Sequence, residues 1–83
     1  MPHAENLREG QQFRIRDRVL ALERPNGETT AFYIPAGAIV KVKHLPRNGD
    51  LLVDVLWSGR TVMIFCRELL EYGERVMNAG TEG

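Results

Sequence analysis

Apolar and polar residues alternate along most of this chain, and turn-forming residues interrupt the alternation at short intervals. This pattern is typical of β-strands rather than of helices. The alternation begins at Phe13 and Ile15. Further strands are predicted at residues 19–22, 29–34, 39–43, 51–57 and 60–66, with turns at 25–27, 35–37, 46–49 and 58–59. The pattern then changes, because residues 67–71 predict a single helical turn and residues 74–77 a last short strand.

Ser58 and Gly59 predict a two-residue hairpin turn, which fixes the register of the strands on either side. With Trp57 opposite Arg60, one face of the hairpin carries the pairs Val55–Val62, Val53–Ile64 and Leu51–Cys66. All of these residues are apolar, so we expect this face to lie in the core. The opposite face carries the pairs Leu56–Thr61, Asp54–Met63 and Leu52–Phe65 and is more apolar than a solvent-facing surface requires.

A four-residue loop at 46–49 would join this hairpin to the strand before it. Such a loop would place Val42 opposite Val53, and Val40 opposite Val55, on the same core face. It would also place Lys41 opposite Asp54 on the outer face. The two registers agree on which residues face inward, which favours both of them.

The length of the chain allows one domain. Its 83 residues (9.4 kDa) are 43% hydrophobic and 27% charged, so it is too apolar for a disordered protein. We expect residues 1–10 to form a flexible lead-in, residues 11–77 a single domain and residues 78–83 a disordered tail.

Charge and cysteine content limit the classes of protein to which the chain can belong. Lys and Arg number 11, as do Asp and Glu, so the formal net charge is zero, which argues against holding nucleic acid by bulk electrostatics. Cys66 is the sole cysteine, so no intramolecular disulfide can form. The N-terminus lacks a signal-peptide pattern, and no apolar run approaches the ~20 residues of a membrane span. A cytoplasmic location without membrane contact is therefore predicted.

The order of the predicted elements resembles the SH3-like small β-barrel. That family has a wide hairpin, a diverging turn, three successive strands, a one-turn helix and a closing strand, and residues 34–40 resemble the diverging turn. The resemblance covers residues 11–77 and implies an all-β barrel of five to six strands with one short helical turn near the C-terminus. Residues 53–62 also resemble small bacterial proteins of unknown function.

The resemblance implies a binding role but does not name the ligand, because small barrels carry many unrelated functions. The Ala-Leu-Tyr-Asp-Tyr-type opening strand of signalling SH3 domains is absent, and so is the tryptophan pair that begins their middle strand, because Trp57 lies at the far end of its strand beside the tight turn. Proline-rich peptides are therefore not implied as ligands. In strand order the chain is also similar to small barrels of ribosomal and photosystem subunits, which serve as docking or RNA-contact modules.

Catalytic and metal-binding residues are not expected. Cys66 could act as a nucleophile with His44 as its base, but its parity with Val62 and Ile64 places it in the core. His3 and His44 do not have the spacing of a metal site. We therefore expect a non-catalytic protein without a cofactor or a small-molecule substrate.

The second face of the central hairpin is the leading candidate site, with Leu52, Leu56, Met63 and Phe65 clustered on it and Trp57 beside the turn. An exposed apolar patch of this kind marks a contact site, and a symmetric homodimer is its simplest use. Two alternatives stay open. The 67–72 segment could instead cover the face with Leu69, Leu70 or Tyr72, and Trp57 could plug the barrel end rather than anchor a partner.

Basic residues provide an alternative site for RNA or DNA. Arg14, Arg16 and Arg18 would share one face of an extended strand, with Lys41 and Lys43 together nearby. Tyr33 or Phe32 would then stack on bases. Because the net charge is zero, we favour a solvated face whose arginines pair with nearby glutamates. The leading hypothesis is an interaction module that binds a protein partner or itself.

Overall fold

The computed structural model describes residues 7–46 and 50–76. Seven strands and one helix follow one another along them: β1 (Gln12–Ile15), β2 (Val19–Glu23), β3 (Thr30–Ile34), β4 (Ile39–His44), β5 (Leu52–Trp57), β6 (Arg60–Phe65), α1 (Cys66–Tyr72) and β7 (Gly73–Arg75). The predicted all-β class is confirmed, and so is the short helix after the central hairpin, but the structure has seven strands where five to six were predicted. The predicted tail at 78–83, residues 1–6 of the lead-in and most of the 46–49 turn lie outside the described residues.

The strands form a single antiparallel sheet in the order β3-β2-β6-β5-β4-β1-β7. β3 and β7 are its two edges and do not pair with each other, so the sheet is not closed. The β2–β3 hairpin pairs with β6 rather than with β1, although it follows β1 in the chain. This crossover joins the first half of the chain to the central hairpin.

One apolar cluster receives side chains from β1 to β6 and from α1. Its largest fully buried members are Phe13, Ile15, Ile34, Ile64 and Leu69. Because strands at opposite ends of the sheet order fill the same core, the sheet must curl around it. Leu7, within the predicted lead-in, is also buried in this cluster, and the Gly10 amide donates to the Val42 carbonyl at 2.8 Å.

The central hairpin turns at Ser58 and Gly59, with φ angles of 56° and 79°. Positive φ at both positions is the mark of a type I′ turn, whose twist suits a two-residue hairpin. The predicted register from Trp57–Arg60 to Leu52–Phe65 is confirmed at every pair. The predicted turn at Pro35-Ala36-Gly37 is also present, with Gly37 at φ 93° and the Ala38 amide donating to the Pro35 carbonyl.

The predicted register between β4 and β5 is wrong. Val42 lies opposite Val55 rather than Val53, and Lys41 lies opposite Leu56 rather than Asp54. Because the shift is by two residues, the same residues still face inward. The physical cause is a longer connection, since β4 ends at His44 and β5 begins only at Leu52.

Leu51 is not part of the core. It precedes β5, and its side chain is 71% exposed, although the hairpin alternation predicts a core position opposite Cys66. The backbone still follows the predicted pairing, because the Cys66 amide donates to the Leu51 carbonyl at 2.8 Å. The core therefore ends one pair earlier than predicted on β5, at Val53.

Candidate functional site: the outer face of the sheet

The outer face of the central hairpin carries the predicted apolar residues. Leu52 lies opposite Phe65, Asp54 opposite Met63, and Leu56 opposite Thr61. Side chains directly opposite in an antiparallel pair project to the same side of the sheet. The intervening residues, such as Val53 and Ile64, are buried, so the core occupies the other side.

The β2–β3 hairpin widens this face beyond what the sequence predicted. Leu22 lies opposite Met63 on β6, while Ala21 and Ile64 pair on the core side. Continuing that register by one residue brings Leu20 beside Phe65. We call Leu20, Leu22, Leu52, Leu56, Met63 and Phe65 the outer patch, and all six side chains are half-buried.

Tyr33 continues the outer patch onto the edge strand β3. It lies opposite Leu20, and the residue is 56% exposed. The guanidinium of Arg18 stands over the ring, 4.6 Å from its centroid. This cation–π contact places a positive charge at the β3 end of the patch.

A bulge in β4 directs two successive side chains towards the outer face. Val42 pairs with Val55 but His44 pairs with Asp54, so Lys43 is an extra residue in β4. His44 Nδ1 lies 3.5 Å from a carboxylate oxygen of Asp54. The Lys43 ammonium donates to the Thr61 hydroxyl at 2.8 Å. Because Thr61 is on β6, the Lys43 side chain crosses the outer side of β5 to reach it.

The helix caps the core rather than the outer patch. Leu69 is fully buried in the core cluster, and Leu70 and Tyr72 pack against that cluster. The main contacts of α1 with other elements are with β6, β7, β1 and β2. The sequence left open whether the 67–72 segment covers this face. These contacts favour an outer patch that α1 leaves uncovered.

Trp57 lies on the core side of the sheet. It packs against the core cluster and stacks on Phe32, and the guanidinium of Arg60 stands over both rings. Arg60 also lies 3.4 Å from a carboxylate oxygen of Glu23. This arrangement makes Trp57 a plug at one end of the core and separates it from the other predicted contact residues.

The arginines predicted to share a strand face do not lie on one strand. β1 ends at Ile15, and the chain bends at Arg16 before β2 begins at Val19. Arg14 on β1 lies opposite Glu74 on β7, and Arg16 donates to the Glu71 carbonyl at 2.7 Å. Arg18 instead joins the outer face through Tyr33. Only Arg18, Lys41 and Lys43 of the five predicted cations therefore border the outer patch.

The predicted stacking platforms face opposite ways. Phe32 points to the core side, where its ring stacks on Trp57, while Tyr33 faces out. One exposed ring beside aliphatic side chains is a poor platform for successive bases, which need a series of aromatic faces.

The residues considered for chemistry do not assemble. Cys66 is buried, and burial raises the pKa of its thiol; a backbone hydrogen bond partly opposes this, and the Asp50 carboxylate adds to it. Among residues 7–46 and 50–76, no three His, Cys, Asp or Glu side chains are placed to hold a metal ion. Over the same residues, no helix has both the length and the hydropathy to cross a bilayer.

An open pocket adjoins the outer patch where β4 and β5 meet their connection. Its volume is about 270 Å³, and His44, Leu45, Pro46, Asp50, Leu52 and Asp54 line it. Leu52 and Asp54 belong both to the pocket and to the outer face. The patch therefore runs without a break from this pocket to Tyr33.

Comparison with protein-family models, curated proteins and solved structures finds no significant match to this chain. The geometry of its own residues is the basis for assigning a function.

Proposed function

We propose that this protein is a non-catalytic interaction module that docks a protein through the outer patch. The observation that carries the proposal is the continuity of the patch across β5, β6 and β2, with Tyr33 extending it onto β3. An apolar surface that crosses several strands and is not covered by the helix is typical of a contact site. The buried thiol and the scattered titratable groups give no support to catalysis.

We further propose that the architecture is that of an SH3-like small barrel. Three features support this: β1 lies between β4 and β7, the β2–β3 hairpin folds onto β6, and one helical segment separates β6 from the last strand. In such an arrangement the strongly curled sheet keeps its core inside. The outer patch then lies on the convex surface, where a partner has access.

Comparative capture tests the docking role. The tagged wild-type protein and the double variant Leu22→Ser/Met63→Ser are each incubated with an extract of the organism that encodes the chain. These two side chains lie opposite each other at the centre of the patch. We expect proteins that the wild type retains and the double variant loses. Leu51→Ser is the matched control, because it removes an exposed leucine outside the patch.

Folding of each variant is checked by circular dichroism before capture. Equal retention by the wild type and a folded double variant would contradict the docking role. Sedimentation of the wild type at high concentration covers the case in which the partner is a second copy. A dimer that the double variant converts to a monomer would support docking through the same patch.

A further inference from the structure

We propose that the segment which docks on the outer patch is acidic and amphipathic, with apolar side chains over the patch and carboxylates at both of its ends. This inference rests on the proposed function and adds the chemistry of the partner. Its basis is the placement of three cations, Lys41, Lys43 and Arg18, around the apolar residues.

Two of the cations lie at the β4 side of the patch. Lys41 is exposed and stands opposite Leu56, so its ammonium extends from the same side of the sheet. Lys43 reaches over β5 to Thr61, which lies opposite Leu56 on the other flank. Leu56 is thus bordered by both lysines. Because Lys43 binds a neutral hydroxyl there, its charge is available to a carboxylate.

The third cation lies at the opposite side. Arg18 stands over the exposed ring of Tyr33 on the edge strand β3. Among the described residues, the close contacts between a basic and an acidic side chain are His44–Asp54 and Arg60–Glu23, and neither involves Arg18, Lys41 or Lys43. Asp54 lies beside the patch, between Leu52 and Leu56 on β5, and His44 faces it. Lys41 and Lys43 at the Leu56 border and Arg18 at the Tyr33 border are therefore the positive positions, while Asp50 and Asp54 lie on the side of the pocket.

The distance between the two borders sets the spacing of the partner's acidic groups. β4 and β3 are separated by β5, β6 and β2, which makes four steps between adjacent strands. At about 4.8 Å per step, the path along the curled sheet from β4 to β3 is about 19 Å. A helix of about 13 residues has the same length. Carboxylates at the ends of such a segment would meet the cations, and the apolar side chains between them would cover the patch.

A second copy of this chain fits the surface less well. Two outer patches facing each other would bring together two sets of cations and few carboxylates, and such like-charge contacts oppose association. Nucleic acid is also disfavoured, because five of the six patch side chains are aliphatic and cannot stack on bases.

Selection from a displayed library of random 20-residue peptides tests the inference without the natural partner having to be identified. The bait is the wild-type protein, and Leu22→Ser/Met63→Ser is the parallel bait. We expect the peptides enriched only on the wild type to carry a net negative charge and apolar residues at helical spacing. A synthetic copy of one enriched peptide should bind at least tenfold more weakly to Lys41→Glu/Lys43→Glu. Both substitutions are at exposed positions, so this variant should fold.

Arg8→Glu is the control for the charge change, since Arg8 is exposed and lies outside the patch. It should leave the affinity within twofold of the wild type. Patch-dependent peptides that are neutral or basic would overturn the acidic partner while leaving the docking role intact. Peptides that bind the wild type and the double variant equally, or no enrichment, would also overturn the inference, and the capture experiment then decides the docking role separately.

Three further outcomes would overturn the acidic partner. One is a dimer of the wild type that Leu22→Ser/Met63→Ser abolishes. The second is binding of the wild type to phosphatidylserine-containing vesicles, and the third is binding to a mixed-sequence oligonucleotide. Either result overturns the acidic partner if Lys41→Glu/Lys43→Glu abolishes the binding and no acidic peptide is enriched. If instead neither probe binds and acidic peptides do, the inference stands.

Discussion

Phe32 and Trp57 stack with their ring centroids 5.7 Å apart and their planes inclined by 25°. The two residues come from β3 and β5, which are separated in the sheet by β2 and β6. A flat sheet would hold such strands about 14 Å apart. The contact is therefore possible only because the sheet curls, and it joins the edge hairpin to the end of the central hairpin.

This stack should contribute measurably to stability. Because both rings are half-buried, we expect Phe32→Ala and Trp57→Ala each to lower the free energy of unfolding by about 2 kcal/mol, less than a fully buried ring. The coupling energy of the double-mutant cycle should be about 1 kcal/mol. Urea unfolding followed by far-UV circular dichroism measures both. Strictly additive effects would show that the rings do not support each other.

Gly73 should not tolerate any side chain. A Cβ at this position would lie 2.5 Å from the Leu69 carbonyl oxygen and 3.2 Å from Cδ2 of Phe13. We expect Gly73→Ala to cost about 1–3 kcal/mol, because the backbone of α1 must move to relieve the overlap. Thermal unfolding measures the loss.

Gly59→Asn provides the contrast to Gly73→Asn. Gly59 has φ 79° and open space where a Cβ would lie, and asparagine tolerates positive φ. Gly59→Asn should therefore be mild, and Gly73→Asn severe. Similar losses for the two variants would show that crowding is not what requires glycine at residue 73.

Leu51 and Ile64 provide a contrast between an exposed and a buried position at the central hairpin. Leu51→Ala should change stability by less than about 0.5 kcal/mol, since its side chain is 71% exposed. Ile64→Ala should cost about 2–5 kcal/mol, because Ile64 is fully buried. Chemical denaturation of both variants is the measurement. A large loss of stability for Leu51→Ala would show that Leu51 lies in the core, as the alternation predicts.

The Cys66 thiol should make the fold less stable in alkali. Burial raises the pKa of this thiol in the folded state, so the unfolded chain releases the proton first. The stabilising contribution is complete below the ordinary thiol pKa of about 8.5 and is lost as the pH rises through the raised folded value. Between pH 7.5 and pH 10, the wild type should lose more stability than Cys66→Ala. Parallel loss in the two proteins would contradict this.

The central hairpin was predictable because its information is local. Ser58 and Gly59 fix the turn, and the turn fixes which of the flanking residues face the core. The same reasoning placed four residues of the outer patch, Leu52, Leu56, Met63 and Phe65, on one side of the sheet. It failed at Leu51 because alternation shows on which side a residue lies but not where the core ends.

The rest of the outer patch depends on pairing between distant parts of the chain. Leu20 and Leu22 join it only because β2 pairs with β6, and no local pattern specifies that partner strand. The alternation within β2 did carry a usable signal, since Val19 and Ala21 face the core while Leu20 and Leu22 face out. The bulge at Lys43 gave no signal, because an extra residue in a strand does not change its composition.

That bulge makes the charge of the outer face depend on chain length as well as on residue type. Lys43 and His44 both reach the outer face because β4 has one residue more than β5 requires. Loss of a single codon at residue 43 would remove the ammonium from Thr61 and return the strand to strict alternation, with every residue of β5 unchanged. Insertions and deletions in β4, and not only substitutions, are therefore a route by which related chains could acquire different partners.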